Sequence, residues 1–152
     1  MNDASGQATE AGFRLEGIDH VALAVRDVAA SARWYREVLG FERRYAEVWG
    51  DFPTIVCAGA TCLALFPVGT DRPLPPPPRG TLAMRHVAFR ADRANFAAAQ
   101  AALRARGVAF KTEDHAAALS IYFTDPDGHQ LEVTTYERGT GPDPAWGWPL
   151  AT

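Results

Sequence analysis

Large apolar residues alternate with small or polar ones from His20 to Val25, where Val21, Leu23 and Val25 are separated by Ala22 and Ala24 and preceded by His20. A period of two is the mark of a strand with one face buried. Past Asp27 the period lengthens: Val28, Ala32, Tyr35, Val38 and Leu39 recur at helical spacing, with Asp27 placed to cap. Gly40 stands where the helix needs a left-handed stop, and Phe41 supplies the apolar contact beyond it. The same succession returns later. His86-Val87-Ala88-Phe89 opens as a strand, and Asp92 or Asn95 can cap a helix carrying Phe96, Ala99, Leu103 and Arg106. Gly107 and Val108 then close it. Short β-rich runs follow each helix, Thr54–Ala58 and Cys62–Phe66 in the first half, Ile121–Thr124 and Gln130–Tyr136 in the second. Asp125-Pro126-Asp127-Gly128 is a strong turn, since proline presets one φ and glycine accepts a positive one. Each half therefore reads as β-α-β-β-β, an α+β architecture of two modules forming a cup-shaped, partly closed mixed sheet.

The punctuation between the halves is equally plain. Residues 71–80, DRPLPPPPRG, include four consecutive prolines, which enforce an extended connection. We divide the chain into a flexible leader (1–15), one domain (16–137) made of module one (17–70), the proline-rich linker (71–80) and module two (81–137), and a tail (138–152). Trp146 and Trp148 in that tail are costly to leave in water, so it is expected to pack.

Composition narrows the function more than the fold. In 152 residues, an apolar fraction of 47% and a charged fraction of 22% are ordinary for one soluble globular domain. A formal charge of −3 with scattered arginines gives no reason to expect nucleic acid or an anionic membrane as partner. No apolar run is long enough to span a bilayer, and the start lacks a secretory pattern, so a cytoplasmic protein is expected. Cys57 and Cys62 are expected to be free buried thiols, because neither zinc spacing nor a secreted context accompanies them.

The candidate chemistry comes from the strand faces. In three strands, one face is given to the helix layer and the other holds a ligand-type side chain among small or polar neighbours. These are His20 with Ala22 and Ala24, His86 with Ala88 and Arg90, and Glu132 with Thr134 and Tyr136. Two imidazoles and a carboxylate form the facial set that leaves metal positions open, often for Fe(II). A lone strand histidine is more often structural; two equivalent histidines on matching faces point to a shared ligand.

DHVAL at Asp19, RHVAF at Arg85 and SIYFTDPDGHQLEV from Ser120 together resemble the vicinal oxygen chelate superfamily, over about Gly17 to Glu137. It includes glyoxalase I, extradiol dioxygenases, fosfomycin-resistance enzymes and bleomycin-binding proteins. The resemblance implies paired modules, a divalent metal held by His20, His86 and Glu132, and a small substrate chelated through adjacent oxygens. Fe(II) or Mn(II) is favoured, with Zn(II) or Ni(II) as alternatives, and a homodimer is expected. Glyoxalase I usually adds a fourth ligand where Ala64 stands here, although a neighbour such as Glu47 could substitute. His115, Ile121-Tyr122, the Asp125–Gly128 turn and Glu132 follow the extradiol pattern, with Glu113 departing from it. That reading makes His115 an acid/base and Tyr122 a donor to substrate oxygen; otherwise His115 is simply an exposed loop residue, as His129 is taken to be. Alternatives are a glyoxalase-type lyase or isomerase, a resistance transferase, for which Arg90 and Arg138 are the candidate cations, and a metal-free antibiotic-binding protein.

Overall fold

The computed structural model describes residues 17–138, apart from 71, 73, 74, 77 and 82. The leader and nearly all of the tail, with both its tryptophans, lie outside the described residues. Module one runs β1 (His20–Val25), α1 (Val28–Leu39), β2 (Glu42–Arg44), α2 (Ala46–Trp49), β3 (Thr54–Ala58) and β4 (Thr61–Pro67). Module two runs β5 (Val87–Arg90), α3 (Arg93–Ala105), β6 (Lys111–Asp114), β7 (Leu119–Thr124) and β8 (Gln130–Thr135). The strands do not merge into one sheet. They form two separate four-stranded sheets, ordered β1-β4-β3-β2 and β5-β8-β7-β6, in each of which the strand before the helix pairs in parallel with the module's last strand.

Both long helices begin and end as the pattern predicts. Asp27 accepts from the Ala30 amide, and Asp92 rather than Asn95 caps α3, accepting from Asn95. Gly40 closes α1 at φ 71°, freeing the Phe41 amide to reach the Tyr35 carbonyl.

The two modules share one core. Leu23, Val25, Tyr35, Phe41, Leu63 and Leu65 pack with Phe96, Leu103, Ile121, Phe123, Leu131 and Val133. Each sheet covers this core with its helix-side face and turns its other face away. A polar seam locks the arrangement. The buried Tyr35 hydroxyl donates to Asp125 Oδ2 (2.8 Å), while Asp125 Oδ1 accepts the amides of Asp127 and His129 (2.9 Å each). Asp127 Oδ1 accepts from both the backbone amide (3.0 Å) and Nε (2.8 Å) of Arg26, and its Oδ2 lies 3.2 Å from the Ser31 hydroxyl.

Burial alone would raise the Asp127 carboxyl, but the hydrogen bonds from Arg26 and Ser31 outweigh it and hold the group below the usual range. A depressed folded value stabilises fully above the unfolded one, about 3.9, and is lost as pH falls through the folded value. Asp127→Asn is therefore expected to cost about 2 kcal/mol at neutral pH. The gap to wild type should close below about pH 4, as read from urea midpoints across pH.

Two expectations need correction. Cys57 and Cys62 form a disulfide instead of standing as free thiols. Gly59-Ala60 turns the chain so that the two cysteines sit directly opposite in the β3–β4 ladder, and cross-strand proximity achieves what loop spacing did not announce. In α3 the buried stripe runs through Phe96, Gln100 and Leu103 and does not continue to Arg106, which is the exposed C-cap; Gln100 is 2% exposed and its amide atoms have no hydrogen-bond partner among the described residues. Orphaned polar atoms cost stability, so Gln100→Met is expected to raise the melting temperature, by about 1 kcal/mol of stability.

Candidate metal centre

The outward face of the second sheet is where candidate residues gather. β5 and β8 run in parallel with Ala88 opposite Glu132, which brings His86, just before β5, alongside the carboxylate. His86 Nε2 lies 3.0 Å from Glu132 Oε2. Two ligand atoms each about 2.1 Å from one ion at right angles would be about 3 Å apart, so the pair fits adjacent positions around a cation. Glu132 is only 7% exposed, and its second oxygen is already occupied: the buried Ser120 hydroxyl donates to Oε1 at 2.5 Å. That bond aims Oε2 at His86, the usual role of an outer hydrogen bond at a metal ligand.

Ser120 is a residue of this face that the strand pattern alone does not single out. It precedes Tyr122 by two in β7, and the β7–β8 register places Tyr122 opposite Glu132 and Ser120 opposite Thr134. Tyr122 occupies the middle of the face. Its ring meets His86 edge-on at 5.8 Å, and its hydroxyl is 2.9 Å from His115 Nε2. Burial first, then the Glu132 charge, pushes the phenol up from its ordinary value, keeping its proton in place at neutral pH.

His115 sits in the turn between β6 and β7, its amide bonded to the Ala118 carbonyl. Beside it, Arg138 pairs with both Asp114 oxygens and the Ala116 carbonyl. This pairing holds Asp114 down at about 2 and engages one of the two candidate cations; the other, Arg90, lies over the Tyr136 ring at 4.9 Å. His129 lies apart, its ring nitrogen 2.8 Å from the Ala24 carbonyl.

His20 is the outlier. It lies on the outward face of the first sheet, opposite Cys62 in the ladder, with Nδ1 2.7 Å from Asp19. Among the described residues no three His, Cys, Asp or Glu side chains gather within one chain. The chain thus unites His86 and Glu132 and leaves His20 on a separate face. Ala22 pairs with Ala64 as Ala88 pairs with Glu132, so Ala64 does hold the position equivalent to the carboxylate. Glu47, the suggested substitute, is exposed in α2.

A family model described as the glyoxalase/bleomycin resistance protein/dioxygenase superfamily matches residues 17–133. The chain belongs to that superfamily. Among curated members of known activity, the glutathione transferase FosA of Serratia marcescens is 28% identical over 120 residues, covering 78% of this chain and 80% of FosA. Solved structures agree on the fold. A glyoxalase/dioxygenase from Nostoc punctiforme aligns at TM-score 0.67 and 24% identity, covering 81% of this chain and 92% of that one. The lactoylglutathione lyase of Agrobacterium tumefaciens aligns at 0.61 and 24%, covering 80% and 94%. A glutathione transferase is thus among the relatives of this protein, and the α+β pair of modules described above is the fold it shares with those solved structures. Among the described residues, no helix is long and apolar enough to cross a membrane.

Proposed function

We propose that this superfamily member is a metal-dependent enzyme acting on a small compound that chelates a divalent ion through two neighbouring oxygens. His86 and Glu132 of one chain and His20 of a second copy would hold the ion. The observation that carries the reading is the 3.0 Å approach of His86 Nε2 to Glu132 Oε2, on a face where Tyr122 and His115 share a hydrogen bond. The metal, when bound, would supply Lewis acidity and a template for the chelated oxygens. Fe(II) or Mn(II) suits two imidazoles and a carboxylate.

The chain's own groups handle protons. Tyr122, held protonated, donates to a substrate oxygen, and His115 receives or returns a proton through the Tyr122 hydroxyl. This pair favours an extradiol-type dioxygenase acting on a catechol-like compound. The 28% identity to FosA favours a second reading, transfer of glutathione to a small electrophile, and the lyase fold neighbour is compatible with thiol adducts. Oxygen uptake with catechols separates the first from the second, which consumes thiol instead.

A shared site makes a sharp prediction. His20→Ala and Glu132→Ala should each hold little metal alone. Coexpressed, random pairing in a two-fold dimer restores about a quarter of the sites, since half the dimers are mixed and each carries one intact site. Metal analysis of the copurified mixture reads this directly. No restoration would exclude the shared site, and wild-type protein that stays metal-free after loading would favour a metal-free binding protein.

A further inference from the structure

The first sheet turns a row of metal-ligating residue types outward. His20 stands opposite Cys62 in the β1–β4 ladder, and Cys62 stands opposite Cys57 in the β3–β4 ladder. The three side chains therefore leave the same face of neighbouring strands, and the row is only about 10 Å long. As the chain stands, the two sulfurs are bonded to each other, and no three ligand side chains gather among the described residues. His20 leans towards Asp19, with Nδ1 2.7 Å from the carboxylate, but the two side chains are 48% and 95% exposed. A contact between groups so open to water is worth little, and the imidazole is free to turn along the row.

The surroundings suit a sulfur-bound cation. Ile55, Ala64 and Phe66 pack with the two cysteines into an apolar cluster on this face. A bare cation or a bare thiolate is costly there, whereas a divalent ion with two thiolates carries no net charge. An imidazole adds a neutral ligand without altering that balance. Two sulfurs and one nitrogen are a donor set for zinc and softer ions.

Unequal access to the two sulfurs supplies a gate. Cys57 is 2% exposed and Cys62 is half-buried, so a small thiol meets Cys62 first. Its thiolate bonds to the Cys62 sulfur, the Cys57–Cys62 bond breaks, and Cys57 leaves as a thiolate. A second thiol then attacks the sulfur of the first, releasing Cys62 as a thiolate and a small disulfide. The chain gains two electrons and the two small thiols lose them. Their two protons pass to the cysteine sulfurs, or to water when a cation takes that place.

We infer that Cys57, Cys62 and His20 form a second cation site, for zinc or a softer divalent ion, closed as the disulfide and opened when a low-molecular-weight thiol reduces it. The inference goes beyond the proposed enzyme site and needs neither His86 nor Glu132. His20 is common to both sites, so the test uses the full chain carrying Glu132→Ala, in which the first centre lacks its carboxylate.

Cd(II) is the probe, because its bonds to thiolate have their own ultraviolet charge-transfer absorption. Treatment with glutathione, then its removal under nitrogen, should free both cysteines, none being free beforehand. The reduced chain should bind about one Cd(II) with that absorption, and the oxidised chain should show none of it. Cys57→Ser and Cys62→Ser should each lose most of the absorption, and His20→Ala should weaken binding at least about tenfold. Cys62→Ser, at the more exposed position, is the variant to read if Cys57→Ser unfolds. Cysteines that stay oxidised in glutathione overturn the proposal, as does a reduced chain without the absorption. Full absorption in the serine variants, or undiminished affinity in His20→Ala, overturns the three-ligand site. None of these results touches the pairing of His86 with Glu132, and failure of that centre would leave them all readable.

Discussion

Glu132→Ala is expected to lower divalent-metal affinity at least about a hundredfold, taking bound metal from near one per site to a small residue. Glu132 is the buried member of the pair, and no other carboxylate joins it and His86 among the described residues. Losing it removes one ligand and frees the Ser120 hydroxyl from its 2.5 Å bond. Ser120→Ala should do less, about ten- to a hundredfold, because Oε2 remains but loses the bond that aims it. Equilibrium dialysis followed by elemental analysis measures both. Retention of full metal by Glu132→Ala would remove the site from this face altogether. A variant that unfolds would show in circular dichroism and would not be counted.

Asp125→Ala should destabilise the fold by about 3–5 kcal/mol, the largest stability effect expected from a single polar side chain here. Its carboxylate is 5% exposed and accepts three hydrogen bonds, two from the turn amides of Asp127 and His129 and one from Tyr35. Alanine leaves all three donors without their acceptor, the Tyr35 hydroxyl in the core among them. Tyr35, whose phenol burial and the Asp125 charge push far above its ordinary value, then lies in the core with an unpaired hydroxyl. The turn also sets the β7–β8 register that places Tyr122 beside Glu132, so metal affinity should weaken alongside stability. The urea midpoint is the measurement; a shift equal to less than about 1 kcal/mol would mean that the seam between modules contributes little.

Several features of this site were legible in the residues themselves, and the reason differs for each. Strand alternation placed His20, His86 and Glu132 on outward faces, because period-two patterning reports burial directly. The helix caps were legible because Asp and Gly act on their own backbone. The outer strands β2 and β6 carry Glu42-Arg43-Arg44 and Lys111–Asp114, charged runs without a buried face, so no pattern marked them. Ser31 and Gln100 also broke the helical stripe. Ser31 is buried because Asp127 of the other module reaches it, a contact no local rule contains.

By itself the amino-acid order determined the duplicated modules, their helices and the outward direction of each candidate ligand, all consequences of local periodicity and capping. It also carried the motifs of the superfamily. Which ligands meet was decided only in three dimensions. The β5–β8 register joins His86 to Glu132, the β3–β4 hairpin joins Cys57 to Cys62, and the shared core turns the two ligand-bearing faces away from it. Pairing between distant strands depends on how whole apolar faces pack, and that information is spread over the core rather than written beside any one residue.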